Sequence, residues 1–175
     1  MRKILLMAVL AATTLMSCQK DTESFNNIST PRTNPVPDEL VGRWAITSIS
    51  GSTVYDIPAG TTWNTSEVFL GYQINKDGTI REDGYGSTYS YGVSTWAKWT
   101  AYGSVVVDGS AITFHRARGS YTSSRNSSPK NYGAAEVYPN KSFAFTDYEV
   151  DIDNQGKTVL YLLHEDGSAS KYYKQ

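Results

Sequence analysis

The sequence predicts an all-β fold, an antiparallel up-and-down meander, and three observations carry that expectation. From Leu40 onward apolar residues recur at every second position, and no helical periodicity of any length interrupts them. The extended runs are separated by turn dipeptides, with Asp-Gly at Asp77-Gly78, Asp108-Gly109 and Asp166-Gly167, where a tight reversal needs positive φ. Residues 40–175 are enough for one hydrophobic core and too few for two ordinary ones. A meander of this length removes its open edges by closing into a barrel, here of about eight strands, with a Greek-key β-sandwich as the alternative.

Taken in order, the chain begins with Arg2 and Lys3, followed by an apolar run from Ile4 to Ala12 that is too short to stay as a membrane span. Residues 1–17 therefore read as a signal peptide. Residues 18–39 are polar, with Asn26-Asn27, Pro31, Pro35 and Pro37, and read as a flexible tether. The β-domain, residues 40–175, opens with Trp44 and Ile46 alternating with Arg43, Ala45 and Thr47. In the next run Val68, Leu70, Tyr72 and Ile74 alternate with Phe69, Gly71 and Gln73. Further extended runs fall at residues 79–83, 87–93, 96–102, 104–108, 111–117, 142–151, 158–164 and 169–174, giving roughly eight to ten short strands.

The segment Leu15-Met16-Ser17-Cys18 directly follows the apolar run. It resembles the lipobox of bacterial lipoproteins, which implies that Cys18 is acylated and becomes the first residue of the mature chain. Cys18 is also the only cysteine, so the mature domain has no disulfide and must be held by its core and sheet. Two or three acyl chains on one residue exceed what a single chain provides and give stable attachment to a bilayer. Gln19-Lys20-Asp21-Thr22-Glu23 is similar to the lysine-and-acid signal of Bacteroidetes lipoproteins. That likeness implies a lipid-anchored protein of the outer membrane facing the cell surface, with the periplasmic face as the alternative.

Leu40-Val41-Gly42-Arg43-Trp44 opens the first strand with Gly-x-Trp and resembles the start of a lipocalin-like barrel. In that family the glycine (here Gly42) lets the chain turn into the barrel and the tryptophan (here Trp44) plugs its closed end. The hairpin from Tyr72 to Thr79 and the final Asp-Gly hairpin from Leu160 to Lys174 are similar to those of lipocalin-like (calycin-type) lipoproteins of the Bacteroidetes group. Thr146-Asp147-Tyr148 matches the second lipocalin motif. The third motif, an arginine packing near the tryptophan, is absent, since Lys171 and Lys174 are the basic residues there. The C-terminal helix is missing as well, so the resemblance is to lipocalin-like proteins rather than to lipocalins proper.

Four groups of residues are candidates for chemistry. Thirteen Tyr and four Trp stand among 175 residues, and Tyr85, Tyr89, Tyr91, Trp96, Trp99 and Tyr102 crowd one stretch otherwise rich in Gly, Ser and Thr. Such rings stack on sugars or contact a protein, although aromatics also serve strands as ordinary packing. No acid occurs between Asp108 and Glu136, where His115, Arg116, Arg118, Arg125 and Lys130 fall, with Ser120 to Ser128 reading as a long polar loop. Arg116 and Arg118 are the candidates there for clamping an anionic group, against a merely solvated loop. Asp147, Glu149, Asp151 and Asp153 share one strand face by their period of two. Asp151 and Asp153 half resemble a calcium loop, but Leu162 stands where a bidentate Glu is required, so a solvated edge strand is the default. No metal site or cofactor is expected.

Catalytic patterns are missing: the mature chain keeps no free Cys, the whole chain has only two histidines, and no nucleophile elbow, zinc or phosphate-loop motif occurs. A small hydrolase ranks third among the functional classes. The formal charge is −1, and −3 once residues 1–17 with Arg2 and Lys3 are removed, which speaks against a nucleic-acid partner. The first expectation is a membrane-anchored, non-catalytic binding module for a small molecule or glycan. The second is an interaction or accessory protein of an outer-membrane assembly, serving nutrient uptake or inhibition. A pocket of roughly 300 Å³ or more lined by the aromatic group would favour the first, and an exposed aromatic face the second.

Overall fold

The computed structural model describes residues 25, 27–47, 53–56, 61–65, 67–133 and 142–175. Cys18 and residues 1–17, read above as a signal peptide, lie outside them. Twelve strands follow one 3-10 turn, Asp38–Leu40: β1 (Gly42–Thr47), β2 (Thr53–Asp56), β3 (Thr61–Asn64), β4 (Glu67–Ile74), β5 (Thr79–Ser90), β6 (Val93–Asp108), β7 (Ala111–Ser123), β8 (Asn126–Gly133), β9 (Ser142–Phe145), β10 (Asp147–Ile152), β11 (Thr158–Leu163) and β12 (Ala169–Lys174). No α-helix occurs among the described residues, and none is long and apolar enough to cross a membrane.

The fold is the all-β antiparallel meander that period-two alternation predicts. Ten strands form one sheet in the order β10-β11-β12-β1-β4-β5-β6-β7-β8, with β9 pairing β7, while β2 and β3 form a separate hairpin. Residues directly opposite across a pair share a face, so Trp44 opposite Tyr72, Ile74 opposite Ile80, and Leu160 opposite Tyr172 define the core face. Those residues are buried together with Leu40, Val105, Ile112, Phe114, Phe145 and Leu162. Trp44 is 1% exposed, and its indole N–H donates to the Leu40 carbonyl at 2.8 Å. Gly42, at φ 141°, starts β1 where a side chain would strain the backbone. The Lys174 ammonium lies 5.1 Å from the Trp44 ring centroid.

Turn chemistry explains the hairpins. Asp77-Gly78-Thr79 and Asp166-Gly167-Ser168 repeat one device. The glycine, at φ 81° in both, donates back to the residue three before it, and the Asp carboxylate accepts the N–H and hydroxyl of the following Thr or Ser. At the third Asp-Gly only Gly109 has positive φ (61°), so Gly109-Ser110 is a two-residue connection of the II′ kind.

Three expectations change. Residues 27–39 are packed, not a free spacer. Val36 is fully buried and Ile28 nearly so, the Thr33 N–H donates to Val105 and its hydroxyl to Val107, and the Val36 N–H donates to Lys76. With only two isolated apolar side chains, this strap is held mainly through its backbone, which hydropathy does not register. Ser120 to Ser128 is not a loop, because β7 runs to Ser123 and β8 starts at Asn126. Tyr121 and Ser123 are buried while Ser120 and Thr122 between them are half-buried, so polar residues there continue a strand rather than mark irregularity. The runs separated at residues 84–86 and at Gly103 are continuous within the long strands β5 and β6, because Gly84 and Gly103 mark close approach, to the Trp99 ring and the His115 carbonyl, and not turns.

Candidate functional site

The register of β5, β6 and β7 sorts the candidate residues. Glu82 stands opposite Ala101, Gly84 opposite Trp99, and Gly86 opposite Ala97. On β7 Trp99 faces Tyr121, Ala101 faces Gly119, and Gly103 faces Arg116. All of these belong to the core face. Tyr85 opposite Phe69 and Lys98, Trp96 opposite Ser87, and Tyr102 opposite Arg81 and Arg118 belong to the other. The aromatic stretch therefore does not line one cavity. Trp99 turns inward, Tyr85, Trp96 and Tyr102 turn outward, and Tyr89 and Tyr91 stand at the hairpin tip, 72% and 103% exposed.

The two arginines part because of a β-bulge. Tyr102 pairs with Arg118 and Gly103 with Arg116, leaving Ala117 extra, and that extra residue puts 116 and 118 on opposite faces. Gly103 is what permits it, since a Cβ there would sit 1.8 Å from the His115 carbonyl oxygen. Arg118 lies outside, its guanidinium carbon 5.9 Å from the Tyr102 ring centroid. Arg116 lies inside and grips Glu82. Its Nε donates to Oε2 and its Nη2 to Oε1, both at 2.7 Å. The Trp99 indole N–H adds a third donor to Oε1 at 3.0 Å. The Glu82 side chain is 2% exposed and that of Arg116 13%, so the pair is desolvated and bidentate. Arg116 is thus committed to Glu82, and the expected anion clamp of Arg116 with Arg118 does not form.

The guanidinium carbon of Arg116 lies 4.5 Å from the Phe143 ring centroid. Below it Tyr72 stacks on Phe114 at 4.8 Å and 10° and shares a hydrogen bond with Tyr172, which Ser170 continues to His164 Nε2 at 2.8 Å. Burial drives the Tyr72 hydroxyl well above the ordinary phenol range, the Tyr172 and Glu82 charges reinforcing it and Arg116 opposing it. Burial likewise lifts Tyr172 to about 12. Burial works against the charge on Arg116, but Glu82 outweighs it and the guanidinium is held protonated more firmly than usual. Both tyrosines are therefore neutral hydrogen-bonding groups at physiological pH.

Beyond the ion pair the core face changes character. Gly84, Gly86, Ala97, Ala101 and Gly119 offer at most a methyl, while Trp99, Tyr121 and Tyr132 present rings beside them. Trp99 lies flat on Gly84, whose ideal Cβ would come within 2.0 Å of the indole. Glycine spacing is the signal that sequence reading missed: at 84, 86, 103 and 119 it marks room for rings and a bulge. On the outer face a shallow hollow of about 220 Å³ lies over Gly71, walled by Phe69, Arg43, Gln73 and the Arg81–Asp83 ion pair.

The acidic strand keeps to the solvated side. Tyr148 and Val150 pack toward the core, leaving Asp147, Glu149, Asp151 and Asp153 on the opposite face. Asp153 accepts the N–H groups of Gln155 and Lys157, both at 2.9 Å, and so closes its own turn, while Asp151 accepts from Ile152. Among the described residues no group of three or more His, Cys, Asp and Glu could hold a metal ion.

Comparison with protein-family models, with curated proteins and with solved structures finds no match for this chain.

Proposed function

We propose that the protein is a lipid-anchored, non-catalytic binding module of the lipocalin-like kind, whose ligand, a small molecule or a glycan, enters the end of the sheet away from Trp44. The observation that carries this reading is the core face of β5–β7, where residues no larger than Ala alternate across strands with Trp99, Tyr121 and Tyr132. Trp99, Tyr121 and Tyr132 pack on these small residues, and a planar or ring-shaped guest would enter by displacing or stacking on rings that offer an apolar face with a polar edge. The Glu82–Arg116 pair forms the polar floor beneath.

On this reading the sheet is a closed barrel. β9 pairs with β7 and β10 with β11, and only Thr146 separates β9 from β10. A strand bent at that residue would join the two margins into eight staves: β1, β4, β5, β6, β7, β9 with β10, β11 and β12. The N-terminal anchor is Cys18, and the outer membrane, facing the cell surface, is the location that follows from its resemblance to lipoprotein signals.

The test is tryptophan fluorescence of the mature chain against a glycan and metabolite panel, with the residues after Cys18 retained because the strap around Val36 is part of the core. A saturable change in emission is expected, abolished by Ala101→Phe, which fills the small-residue surface. Folded protein that answers no compound overturns the small-ligand reading. The exposed Tyr89, Tyr91 and Val93 favour the second reading, an interaction protein, in which emission would change with a protein partner instead.

A further inference from the structure

We infer that the β5–β6 hairpin tip is a membrane-contacting element that seats Tyr89, Tyr91 and Val93 in the headgroup zone of a phospholipid bilayer. The inference rests on the lipid anchorage proposed above. Its observations are those of the hairpin. Past Ser87, which pairs with Glu67 at the start of β4, the ribbon continues through four more residues to Tyr91, roughly 13 Å at about 3.3 Å per residue. Tyr89, Tyr91 and Val93 on this projection are 72%, 103% and 63% exposed. No charged residue occurs from Gly84 to Ala97. Tyr91 and Gly92 both have positive φ, 50° and 78°, a two-residue turn of the I′ kind in which Asn, Asp or Gly is favoured. Holding a tyrosine there costs about 1–2 kcal/mol in backbone conformation, and the outcome is an aromatic ring standing fully clear of the domain.

Tyr is a residue of membrane–water interfaces, with an apolar ring and a polar end, and an uncharged tip avoids the penalty of desolvating ions. Lys98 on β6, Arg125 in the β7–β8 turn and Lys130 on β8 are exposed further back from the tip, cations of the sign that anionic lipid headgroups attract. Other turns are charged at both ends of the sheet, with Asp38, Glu39, Lys76, Asp77 and Asp108 at the far end and Glu165 and Asp166 in the β11–β12 turn at the near one, and a bilayer would have to desolvate them, whereas the β5–β6 tip brings no charge. Chain length permits this without choosing the end: Phe25 packs edge-on against Tyr102 at 5.5 Å, the seven residues from Cys18 to Phe25 reach at most about 25 Å, and along β6 from Tyr102 it is about 30 Å to Val93 and about 20 Å to Asp108.

The experiment places a nitroxide at Ser90→Cys, and separately at Ser110→Cys in the turn at the other end of β6, in the full acylated chain reconstituted into phosphatidylcholine vesicles with phosphatidylglycerol. Collision with oxygen against a water-soluble nickel chelate gives depth. The label at 90 is expected to be several-fold less accessible to the chelate than the label at 110, and Tyr89→Ser/Tyr91→Ser/Val93→Ser is expected to erase the difference. Equal chelate access at 90 and 110, or a difference that survives the triple substitution, overturns the inference. Palmitate labelling reports anchorage on its own: if Cys18 is unmarked, the anchor reading fails, and the same label read on the unacylated Cys18→Ser chain at high lipid still decides the hairpin.

Discussion

Replacing Arg116 by Met should be among the most damaging single changes in the protein, and the structure sets its scale. The guanidinium is bound to Glu82 by two N–H donors at 2.7 Å, with side chains 13% and 2% exposed. Two charges about 4 Å apart at an effective dielectric of about 20 attract by about 4 kcal/mol. Removing one partner leaves Glu82 buried with, among the described residues, the Trp99 indole as its remaining donor, and breaking such a pair costs about 3–5 kcal/mol. For a domain whose total stability falls in the range of about 5–15 kcal/mol, that is a large share. The double variant Glu82→Leu/Arg116→Met, which strands no charge, should recover most of the loss, because replacing a buried pair by apolar groups is often neutral or stabilising. Equilibrium urea unfolding followed by far-UV circular dichroism on wild type, both singles and the double reads the coupling directly. A single variant within about 1 kcal/mol of wild type, or a double variant as unstable as Arg116→Met, would refute the burial argument.

Gly84→Ala drives a methyl into Trp99, within 2.0 Å of the indole; the ring must shift and its bond to Glu82 must lengthen, costing about 1–3 kcal/mol with a red-shifted emission and no response to ligand. Val36→Ala, at a fully buried strap position, should cost about 2 kcal/mol for two lost methyl groups, whereas a free tether would show no change in thermal midpoint. Stability should fall on the alkaline side: Tyr172 is raised by burial to about 12, so its contribution is complete below the unfolded phenol value near 10 and is lost as pH rises from there through 12. Tyr172→Phe should flatten the loss of urea midpoint between pH 9 and pH 11, and an unchanged slope would contradict the assignment.

The alternation that made the fold legible is the burial itself. Trp44, Tyr72, Ile74 and Ile80 repeat every second position because one side of each strand faces the core. Where the backbone departs from strict alternation the sequence misleads, and Arg116 and Arg118 show how. Same parity puts them on one face, yet the extra residue Ala117 separates them, sending one to Glu82 and the other to Tyr102. The bulge leaves no apolar signature; its trace is Gly103, which reads as a break until the His115 carbonyl against it is known. The strap fails to register for a related reason, since beside the Thr33 hydroxyl and the isolated Val36 side chain its ties are main-chain N–H groups that every residue but proline possesses.

The aromatic stretch was within reach of sequence logic had the turn been recognised. Every β5–β6 pair is symmetrical about Tyr91-Gly92, from Ser90 opposite Val93 down to Thr79 opposite Ser104. With that pivot, parity alone groups Tyr85, Tyr89, Trp96 and Tyr102 on one face and sends Trp99 to the other, against Gly84. The pivot is obscured because Tyr stands where Asn or Asp would announce an I′ turn. The residue that hides the hairpin from the sequence is thus the one whose ring is most exposed, and a side chain at odds with its local backbone preference points to contact made outside the domain rather than to packing within it. The interior half of the stretch follows the opposite rule. Trp99 agrees with every local preference, and its role is set by what surrounds it, the glycines and alanines that leave its neighbourhood open.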